Sequence, residues 1–204
     1  MSQENMWQIE QSFLEKGIKL IAGVDEAGRG PLAGPVCAAA VILPAYADIP
    51  GLNDSKKLSD KQRRTLYPII KEQAIAYGIA FASESEIDEI NILQATYLAM
   101  QRAVEQMSAK PELLLIDGNR RPDFDIEAKT VVHGDSLSAS IAAASVLAKV
   151  TRDDYMLQMA QKYPEYSFEV HKGYGTKAHY AALEAHGHCP LHRLTFLKKF
   201  YGTK

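Results

Sequence analysis

Two adjacent acids, Asp25 and Glu26, end an apolar segment and stand directly before a glycine-rich turn. The apolar residues 20–24 have the composition of a β-strand. Carboxylates at the end of a strand commonly hold a divalent cation, and the turn Gly28-Arg29-Gly30 offers backbone N–H groups and one positive charge to a phosphate or a sugar. This combination indicates chemistry on a phosphodiester, although a polar strand end with a glycine turn would account for the same residues taken alone. The GxxxxGKS/T spacing of a nucleotide-binding P-loop is absent.

Two further acids stand where a strand or loop can aim them at the same point. Asp117 ends the apolar run 113–116, and Asp135 follows Gly134 just before a long helical segment. Two Mg²⁺ ions about 4 Å apart need several hard oxygen ligands, which a set of four acids supplies. The alternatives are an Asp-Gly turn at Asp117 and a helix N-terminal acid at Asp135.

Asp25 and Glu26 present a geometric difficulty, because neighbouring residues of a strand point to opposite faces. Both can face one metal only if the strand ends at Asp25 or bends there. The glycines at positions 28 and 30 favour a strand that ends at Asp25.

The length of 204 residues indicates one domain, or one domain with an appendage, and a hydrophobic fraction of 47% is ample for a core. We see no apolar run long enough to cross a membrane and no signal peptide, so a cytoplasmic protein is expected. The net charge of −2 does not announce a nucleic-acid-binding protein, but basic residues and five of the six histidines are concentrated in residues 171–204. A basic segment beside an acidic metal centre suits a protein that grips a polyanion and hydrolyses it, and a solvated terminal face is the alternative.

Apolar strands alternate with helical segments along the chain, which predicts an α/β fold with a mixed five-stranded sheet and helices on both faces. The predicted strands are 20–26, 35–43, 74–82, 113–117 and 130–132. The predicted helices are 5–16, 59–72, 91–107, 138–162 and 177–186, and residues 168–176 are predicted to form a loop. The last 40 or so residues are expected to form a small helical appendage.

A series of ordered motifs over most of the chain resembles the bacterial ribonuclease HII family. The motifs are Asp25-Glu26-Ala27-Gly28-Arg29-Gly30, Leu32-Ala33-Gly34-Pro35-Val36, Asn53-Asp54-Ser55-Lys56-Lys57-Leu58-Ser59, Asn91-Ile92-Leu93-Gln94-Ala95-Thr96, Ile116-Asp117-Gly118, Gly134-Asp135, Ser140-Ile141-Ala142-Ala143-Ala144-Ser145, Ala148-Lys149-Val150-Thr151-Arg152-Asp153, His171-Lys172-Gly173-Tyr174-Gly175-Thr176 and His192-Arg193. So many motifs in one order make the resemblance far more specific than any single motif.

The resemblance implies an RNase H-like catalytic domain over residues 1–165 and a C-terminal helical substrate-binding segment over 166–204. It implies a monomeric endonuclease, dependent on Mg²⁺ or Mn²⁺, that cleaves the RNA strand of RNA–DNA hybrids. It also implies incision on the 5′ side of single ribonucleotides embedded in duplex DNA, as in ribonucleotide excision repair. The products would carry 5′-phosphate and 3′-hydroxyl ends.

The same resemblance assigns roles to individual residues. Asp25, Glu26, Asp117 and Asp135 become the metal-binding catalytic set, and Gly28, Arg29 and Gly30 become the reader of the ribose 2′-OH. Tyr174 becomes the residue that stacks on the deoxyribose next to the ribonucleotide. Lys56, Lys57, Lys149 and Lys172 are candidate phosphate contacts, with ordinary surface lysines as the alternative.

Two positions depart from the expected patterns. His133 stands where many relatives have lysine, and a solvated loop histidine is its simplest interpretation. The tail Leu197-Lys198-Lys199-Phe200-Tyr201 faintly resembles a sliding-clamp peptide without its leading glutamine, and packing onto the body is the favoured interpretation.

Two other classes of protein compete with a ribonuclease. A DNA-only nuclease such as a resolvase would have no 2′-OH for the glycine loop to read. A non-catalytic nucleic-acid-binding protein would be weakened by four acids facing phosphates.

Overall fold

A five-stranded mixed sheet forms the centre of the computed structural model, which describes residues 6–202. Its strands are β1 (Ile21–Ala27), β2 (Val36–Ile42), β3 (Ala76–Ala82), β4 (Leu113–Asp117) and β5 (Glu127–Val131). They lie in the order β3-β2-β1-β4-β5, with β2 antiparallel to both β1 and β3, and with β4 parallel to both β1 and β5. The predicted mixed five-stranded sheet is confirmed.

Seven α-helices accompany the sheet within the described part of the chain. They are α1 (Gln8–Leu14), α2 (Asp60–Gln73), α3 (Glu84–Glu105), α4 (Ala139–Lys162), α5 (Phe168–His171), α6 (Lys177–His186) and α7 (Leu194–Tyr201). Short 3₁₀ turns at Gly134–Ser136 and Pro164–Tyr166 flank α4. None of the helices in residues 6–202 combines the length and apolar character needed to cross a membrane.

Helix α4 lies directly against β1 because both surfaces consist of small residues. A Cβ atom added at Gly23 would stand 2.0 Å from the backbone carbon of Ser140, so only glycine permits this approach. The alanines 142, 143 and 144 are completely buried, as predicted for a helix that is small on every face. Helix α2 covers the same face of the sheet beside α4, and α3 covers the opposite face.

Helix α3 is longer than predicted and is kinked. The predicted helix 91–107 corresponds to its second part, whereas a capping box at Ser83 and Glu86 begins the first part. Asn91 lies between the two parts at φ 66°, and its side-chain oxygen accepts hydrogen bonds from the N–H groups of Leu93 (3.0 Å) and Gln94 (3.2 Å). Asn91 therefore acts as a second N-cap inside the helix.

Three other predictions need correction or completion. The strand predicted at 130–132 lies earlier, at Glu127–Val131, because it pairs with all of β4. The predicted loop 168–176 begins with α5, whose flanking residues Ser167 and Lys172 are left-handed, so neither end shows an ordinary helix signal. The first residue of the predicted helix 5–16, and the last two of the basic tail, lie outside the described residues.

The C-terminal segment shares a hydrophobic cluster with the body of the protein. Phe168, Leu183 and Leu197 pack in one cluster with Leu32 and with Met156 of α4. Asp88 of α3 also accepts hydrogen bonds from the N–H groups of Leu194 (2.7 Å) and Thr195 (2.9 Å) at the start of α7. The segment is helical and docked, while the division at residue 165 stays a prediction.

Candidate active site

Three of the four predicted acids meet at one end of the sheet. Val24 of β1 pairs with Ile116 of β4 in parallel, so Asp25 and Asp117 occupy the next position of two neighbouring strands. Asp135 reaches the same point from the 3₁₀ turn before α4. Carboxylate oxygens of these three residues all lie within 4.8 Å of one another. Their donor set is that of a hard divalent cation such as Mg²⁺ or Mn²⁺.

The turn that carries Asp135 is fixed by Asp117 itself. The N–H group of Gly134 donates to a carboxylate oxygen of Asp117 at 2.8 Å, and a Cβ at position 134 would stand 2.5 Å from the side chain of Ile141. Ser138 then caps α4 by accepting from the N–H group of Ile141 at 3.2 Å. The acid at the end of β4 and the acid before α4 are thereby held together through the backbone.

Glu26 lies beside this group and outside it. Strand β1 does not end at Asp25, since Asp25, Glu26 and Ala27 all remain paired with β2. The alternation of a regular strand therefore holds: Asp25 shares its face with Gly23, on the side of α4, and Glu26 follows Val24 on the other side. Glu26 forms an ion pair of 3.4 Å with Arg29 and still lines the same cavity.

Burial and mutual repulsion both disfavour the charged forms of these acids. Burial raises the pKa of Asp25 well above its usual value, and the charges of Glu26 and Asp117 raise it further. Burial also raises the pKa of Asp117, as does the neighbouring charge of Asp135. Burial raises the pKa of Glu26 too, although Arg29 opposes the change. A divalent cation between these oxygens would relieve the repulsion.

Lys56 is one positive charge that reaches the acids in this structure. Its Nζ atom donates to Asp135 at 3.0 Å. Burial lowers the pKa of Lys56, but the bond to Asp135 and the charges of Asp135 and Asp25 outweigh it and raise the pKa above its usual value. The exposed ammonium lies where it can contact a phosphate bound over the carboxylates.

Two completely buried arginines contact the glycine loop on its interior side. Arg193 donates to the backbone carbonyls of Gly28 (2.6 Å), Arg29 (2.9 Å) and Gly34 (2.9 Å). Gly28 has a φ of +96°, and a Cβ there would stand 2.0 Å from Nε of Arg152, so this position needs glycine for both reasons. Arg152 donates to three other carbonyls, those of Ala33, Pro35 and Lys172.

Tyr174 stands next to the glycine loop and is 43% exposed. A Cβ at Gly30 would lie 3.8 Å from the ring carbon Cε1, in ordinary contact. The preceding carbonyl, of Gly173, accepts from the N–H group of Leu32 at 2.8 Å, which joins the tyrosine loop to the chain after the glycine loop. Lys149 lies 5.9 Å from the ring centroid and is paired with Asp153 at 2.8 Å.

One cavity of about 260 Å³ brings most of these groups together. Its lining includes Asp25, Glu26, Gly28, Arg29, Gly30, Lys56, Asp117, Lys149 and Tyr174. Lys172 is placed differently, since its ammonium bonds to the carbonyl of Glu169. His133 is exposed in a left-handed turn, which matches the interpretation of a solvated loop histidine.

Sequence reasoning assigned no role to several residues that shape this site. Ser55 and Ser145 line the cavity with their hydroxyl oxygens 2.6 Å apart, and Ser145 opposes the rise in the pKa of Asp25. Arg63 also lines the cavity and donates to the carbonyl of Ser55 at 2.8 Å. Arg152 and Arg193 were visible as members of family motifs, but the sequence does not show that an arginine will be buried against distant carbonyls.

Clustered carboxylates at the end of a mixed five-stranded sheet, facing a glycine loop, define the class of metal-dependent nucleases with an RNase H-like fold. Comparison with known proteins agrees. A family model described as Ribonuclease HII matches residues 22–199. Ribonuclease HII of Endomicrobium trichonymphae is 57% identical over 193 residues, covering 94% of this chain and 92% of its own. Ribonuclease HII of Dechloromonas aromatica is 59% identical over 179 residues, covering 88% of this chain and 91% of its own.

Solved structures show the same fold. The ribonuclease H2 from Pyrococcus horikoshii OT3 has a TM-score of 0.71 at 26% identity, covering 86% of this chain and 92% of that one. A PCNA:RNase HII complex from Archaeoglobus fulgidus has a TM-score of 0.68 at 23% identity, covering 86% and 94%. The chain belongs to the ribonuclease HII family. It is a metal-dependent endoribonuclease of the ribonuclease H class, acting on RNA–DNA hybrids.

Proposed function

We propose that this ribonuclease also incises duplex DNA on the 5′ side of a single embedded ribonucleotide, by a two-metal-ion hydrolysis that leaves 5′-phosphate and 3′-hydroxyl ends. The supporting observation is the single cavity in which three of the acids (Asp25, Glu26 and Asp117), the loop Gly28-Arg29-Gly30 and Tyr174 meet. A phosphodiester over the acids would have the sugar of its ribonucleotide at the loop and the next sugar at the tyrosine.

The carboxylates would hold the metal and position the scissile phosphate. Asp25, Asp117 and Asp135 supply the closely grouped oxygens, and Glu26 supplies a further carboxylate at the edge of the group. Divalent ions held there would activate a water and stabilise the departing 3′ oxygen. The ammonium of Lys56, bonded to Asp135, would contact the same phosphate from the open side.

The glycine loop would recognise the 2′-OH, which distinguishes RNA from DNA at a single sugar. The carbonyls of Gly28 and Arg29 are already bonded to Arg193, so the loop is rigid before substrate arrives. With no Cβ at position 30, where an added Cβ would stand 3.8 Å from the ring of Tyr174, a sugar can approach the backbone closely. A deoxyribose lacks the 2′-OH, so the polar groups of the loop would stay unpaired against it, at a cost of about 1–3 kcal/mol. The pre-organised loop therefore discriminates against deoxyribose.

Tyr174 would favour a deoxyribose as the next sugar. Its exposed ring stands beside the glycine loop, and stacking on a sugar without a hydroxyl leaves no polar group buried. Tyr174→Ala should therefore impair incision at embedded ribonucleotides, and Tyr174→Phe should retain most activity if the ring is what matters.

The remaining assignments concern the ion, the location and the partners. We propose Mg²⁺ or Mn²⁺, a monomer, and action on nucleic acid in the cytoplasm. A sliding-clamp contact through the tail is the less favoured proposal, because Leu197 is buried and Phe196 and Phe200 pack onto the body. Lys149 and Lys172 are proposed phosphate contacts, and Lys149 is the better placed because it lines the cavity.

A labelled duplex with one embedded ribonucleotide tests the proposal directly. We expect Mg²⁺- or Mn²⁺-dependent incision on the 5′ side of the ribonucleotide, and survival of an all-DNA duplex of the same sequence. A continuous RNA–DNA hybrid serves as the control for the family activity. Cleavage of the all-DNA duplex at an equal rate would mean that the loop does not read the 2′-OH.

A further inference from the structure

A chain of hydrogen-bonded, buried imidazoles links the backbone of Tyr174 to the backbone of Cys189 within the C-terminal segment. Nδ1 of His179 lies 2.9 Å from the backbone carbonyl oxygen of Tyr174. The Nε2 atoms of His179 and His192 are 3.0 Å apart, and Nδ1 of His192 lies 3.0 Å from the N–H nitrogen of Cys189. Both histidines are at most 2% exposed.

The protons of this chain can be assigned from its two ends. The carbonyl of Tyr174 can only accept, so Nδ1 of His179 carries the proton and donates it. A neutral His179 then has a bare Nε2, which must accept from Nε2–H of His192. Nδ1 of His192 is consequently bare, which agrees with the N–H group of Cys189 pointing at it at 3.0 Å. The carbonyl of Cys189 lies 3.2 Å from the same Nδ1 atom, but it already accepts from the backbone N–H group of His192 at 3.0 Å. One direction of donation satisfies every group from Cys189 to Tyr174.

Burial keeps both rings neutral, as this chain requires. Burial lowers the pKa of His179, and burial together with the charges of its histidine neighbours lowers the pKa of His192 to about 4. The rings are packed against aromatic side chains, with Phe168 5.6 Å from His179 and Tyr166 4.9 Å from His192, measured between ring centroids. The chain is therefore a fixed part of the interior at neutral pH.

The ring of Tyr174 is not held in place by burial, so its position depends on hydrogen bonds to the backbone around it. Tyr174 is 43% exposed, whereas its backbone is fixed on both sides. On one side, Nδ1 of His171 accepts from the N–H group of Gly173 at 3.2 Å, and Nε2 of His171 lies 2.9 Å from the carbonyl of Tyr166. On the other side, the carbonyl of Tyr174 accepts two hydrogen bonds, from the N–H group of Thr176 at 2.8 Å and from Nδ1 of His179 at 2.9 Å, and the imidazole bond ties it to the buried interior.

We propose that His179 and His192 are positioning residues that set the selectivity for a ribonucleotide followed by deoxyribose, by holding the backbone of Tyr174 at its carbonyl. This inference rests on the proposed role of Tyr174 in stacking on the next sugar. A continuous hybrid has a ribose at that position, so it gains less from a correctly placed ring. Loss of the hydrogen bonds through His179 and His192 should therefore lower incision at an embedded ribonucleotide more than cleavage of a continuous hybrid.

The test compares His179→Leu, which removes the donor, with His179→Asn, whose amide nitrogen can stand where Nδ1 stands. We measure kcat/KM on both substrates and take the ratio of embedded ribonucleotide to hybrid. We expect His179→Leu to lower this ratio about tenfold, the order of effect of one lost buried hydrogen bond on a rate, and His179→Asn to restore most of it. His186→Leu, an exposed histidine on the same helix, is the matched control and should not change the ratio.

Tyr174→Ala, measured in parallel, separates failure of this inference from failure of the proposed function. If Tyr174→Ala lowers the ratio and His179→Leu does not, the imidazole chain has no role in selectivity and the stacking role stands. An equal loss on both substrates in His179→Leu would also overturn the inference, because it would show a general structural role. If Tyr174→Ala leaves the ratio unchanged, the stacking role fails and the inference fails with it.

A measurement on the unaltered protein decides the matter if His179→Leu does not fold. Nitrogen-15 NMR at neutral pH distinguishes the two neutral tautomers of each imidazole. We expect the proton on Nδ1 in His179 and on Nε2 in His192. The opposite tautomer in His179 would remove the imidazole bond to the carbonyl of Tyr174, leaving only the bond from the N–H group of Thr176, and would overturn the inference.

Discussion

At the scale of single residues, Asp25 is the acid whose replacement is most informative. It is 3% exposed, it belongs to the group of three close carboxylates, and its pKa is raised by burial and by Glu26 and Asp117. Asp25→Asn removes a hard anionic ligand, so we expect hybrid cleavage to fall by about a hundredfold or more. Cleavage of a labelled hybrid in Mg²⁺ measures the loss.

Binding and stability should change in the opposite direction to activity. Without Mg²⁺, Asp25→Asn relieves repulsion, so its melting temperature should rise and its affinity for hybrid should persist or increase. Asp117→Asn and Asp135→Asn should resemble Asp25→Asn, and Glu26→Gln should lose least because Glu26 lies outside the close group. A wild-type rate for Asp25→Asn would remove Asp25 from the metal set.

A second residue-level prediction concerns the acid sensitivity that His192 introduces. Burial lowers its folded-state pKa from 6.5 to about 4, so between these values the unfolded chain binds a proton that the folded chain does not. Stability present above pH 6.5 is therefore lost as the pH falls toward 4. We expect the free energy of unfolding to drop by about 2 kcal/mol more in the unaltered protein than in His192→Gln over this range.

Urea titrations at several pH values, without added metal, provide this comparison. The carboxylates of the active site also titrate with folding, but they are common to both proteins and cancel in the difference. Parallel pH profiles for the two proteins would show that His192 is not held neutral by the fold.

At the scale of elements, the strands could be predicted closely because their apolar runs are short and bounded by turn residues. Four of the five observed strands lie within two residues of their predicted ends, and α6 has the predicted bounds. The meeting of Asp25 with Asp117 followed from two strands that each end in an acid. Its geometry depends on the parallel pairing of Val24 with Ile116, which no local pattern determines.

The elements that sequence reasoning missed are those fixed by distant contacts. Helix α5 has only four residues, and its C-cap, Lys172, has a left-handed conformation. The carbonyl of Lys172 accepts a hydrogen bond from Arg152, so a distant residue fixes this end of the helix. The buried arginines serve backbone carbonyls up to 165 residues away in sequence, and a carbonyl has no signature in the sequence. Glu26 lies outside the close group because β1 stays paired with β2 beyond Asp25. The glycines at positions 28 and 30 had favoured a strand that ends at Asp25, and that prediction was wrong.

The close contact between β1 and α4 leads to a prediction at this scale. A methyl group at position 23 would stand 2.0–2.4 Å from backbone atoms of Ser140 and Ile141, none of which can rotate away. Gly23→Ala should therefore push α4 from the sheet that carries Asp25, and destabilise the protein by about 3 kcal/mol or more. Thermal and urea unfolding measure the loss.

Gly51→Ala is an instructive control for Gly23→Ala. Gly51 has a φ of +84° with nothing within 4 Å of an added Cβ, so its replacement incurs backbone strain without a clash. We expect it to lose about 1 kcal/mol. A similar, small loss for Gly23→Ala would mean that α4 can move away from β1 at little cost.

At the scale of the whole molecule, opposite charges are separated along the chain. The net charge is −2, and the acids of the active site are grouped at one end of the sheet, whereas the C-terminal segment is rich in lysine, arginine and histidine. The segment is also docked on the body through Asp88 and through the cluster around Met156. A polyanion held by this segment would thus be kept near carboxylates that alone would repel it.

The salt dependence of hybrid binding tests whether the basic C-terminal segment holds the nucleic acid near the carboxylates. Each phosphate neutralised by a lysine contributes about 0.9 to the slope of log affinity against log salt concentration. If Lys198 and Lys199 of α7 contact the nucleic-acid backbone, replacing both by Ala should flatten the slope by up to about 1.8. The matched control, Lys16→Ala with Lys110→Ala, changes the net charge equally at two exposed sites outside the C-terminal segment and should leave the slope intact. An unchanged slope in the Lys198 and Lys199 variant would show that these lysines do not contact the duplex, and would leave Lys56 and Lys149, at the cavity itself, as the candidate phosphate contacts.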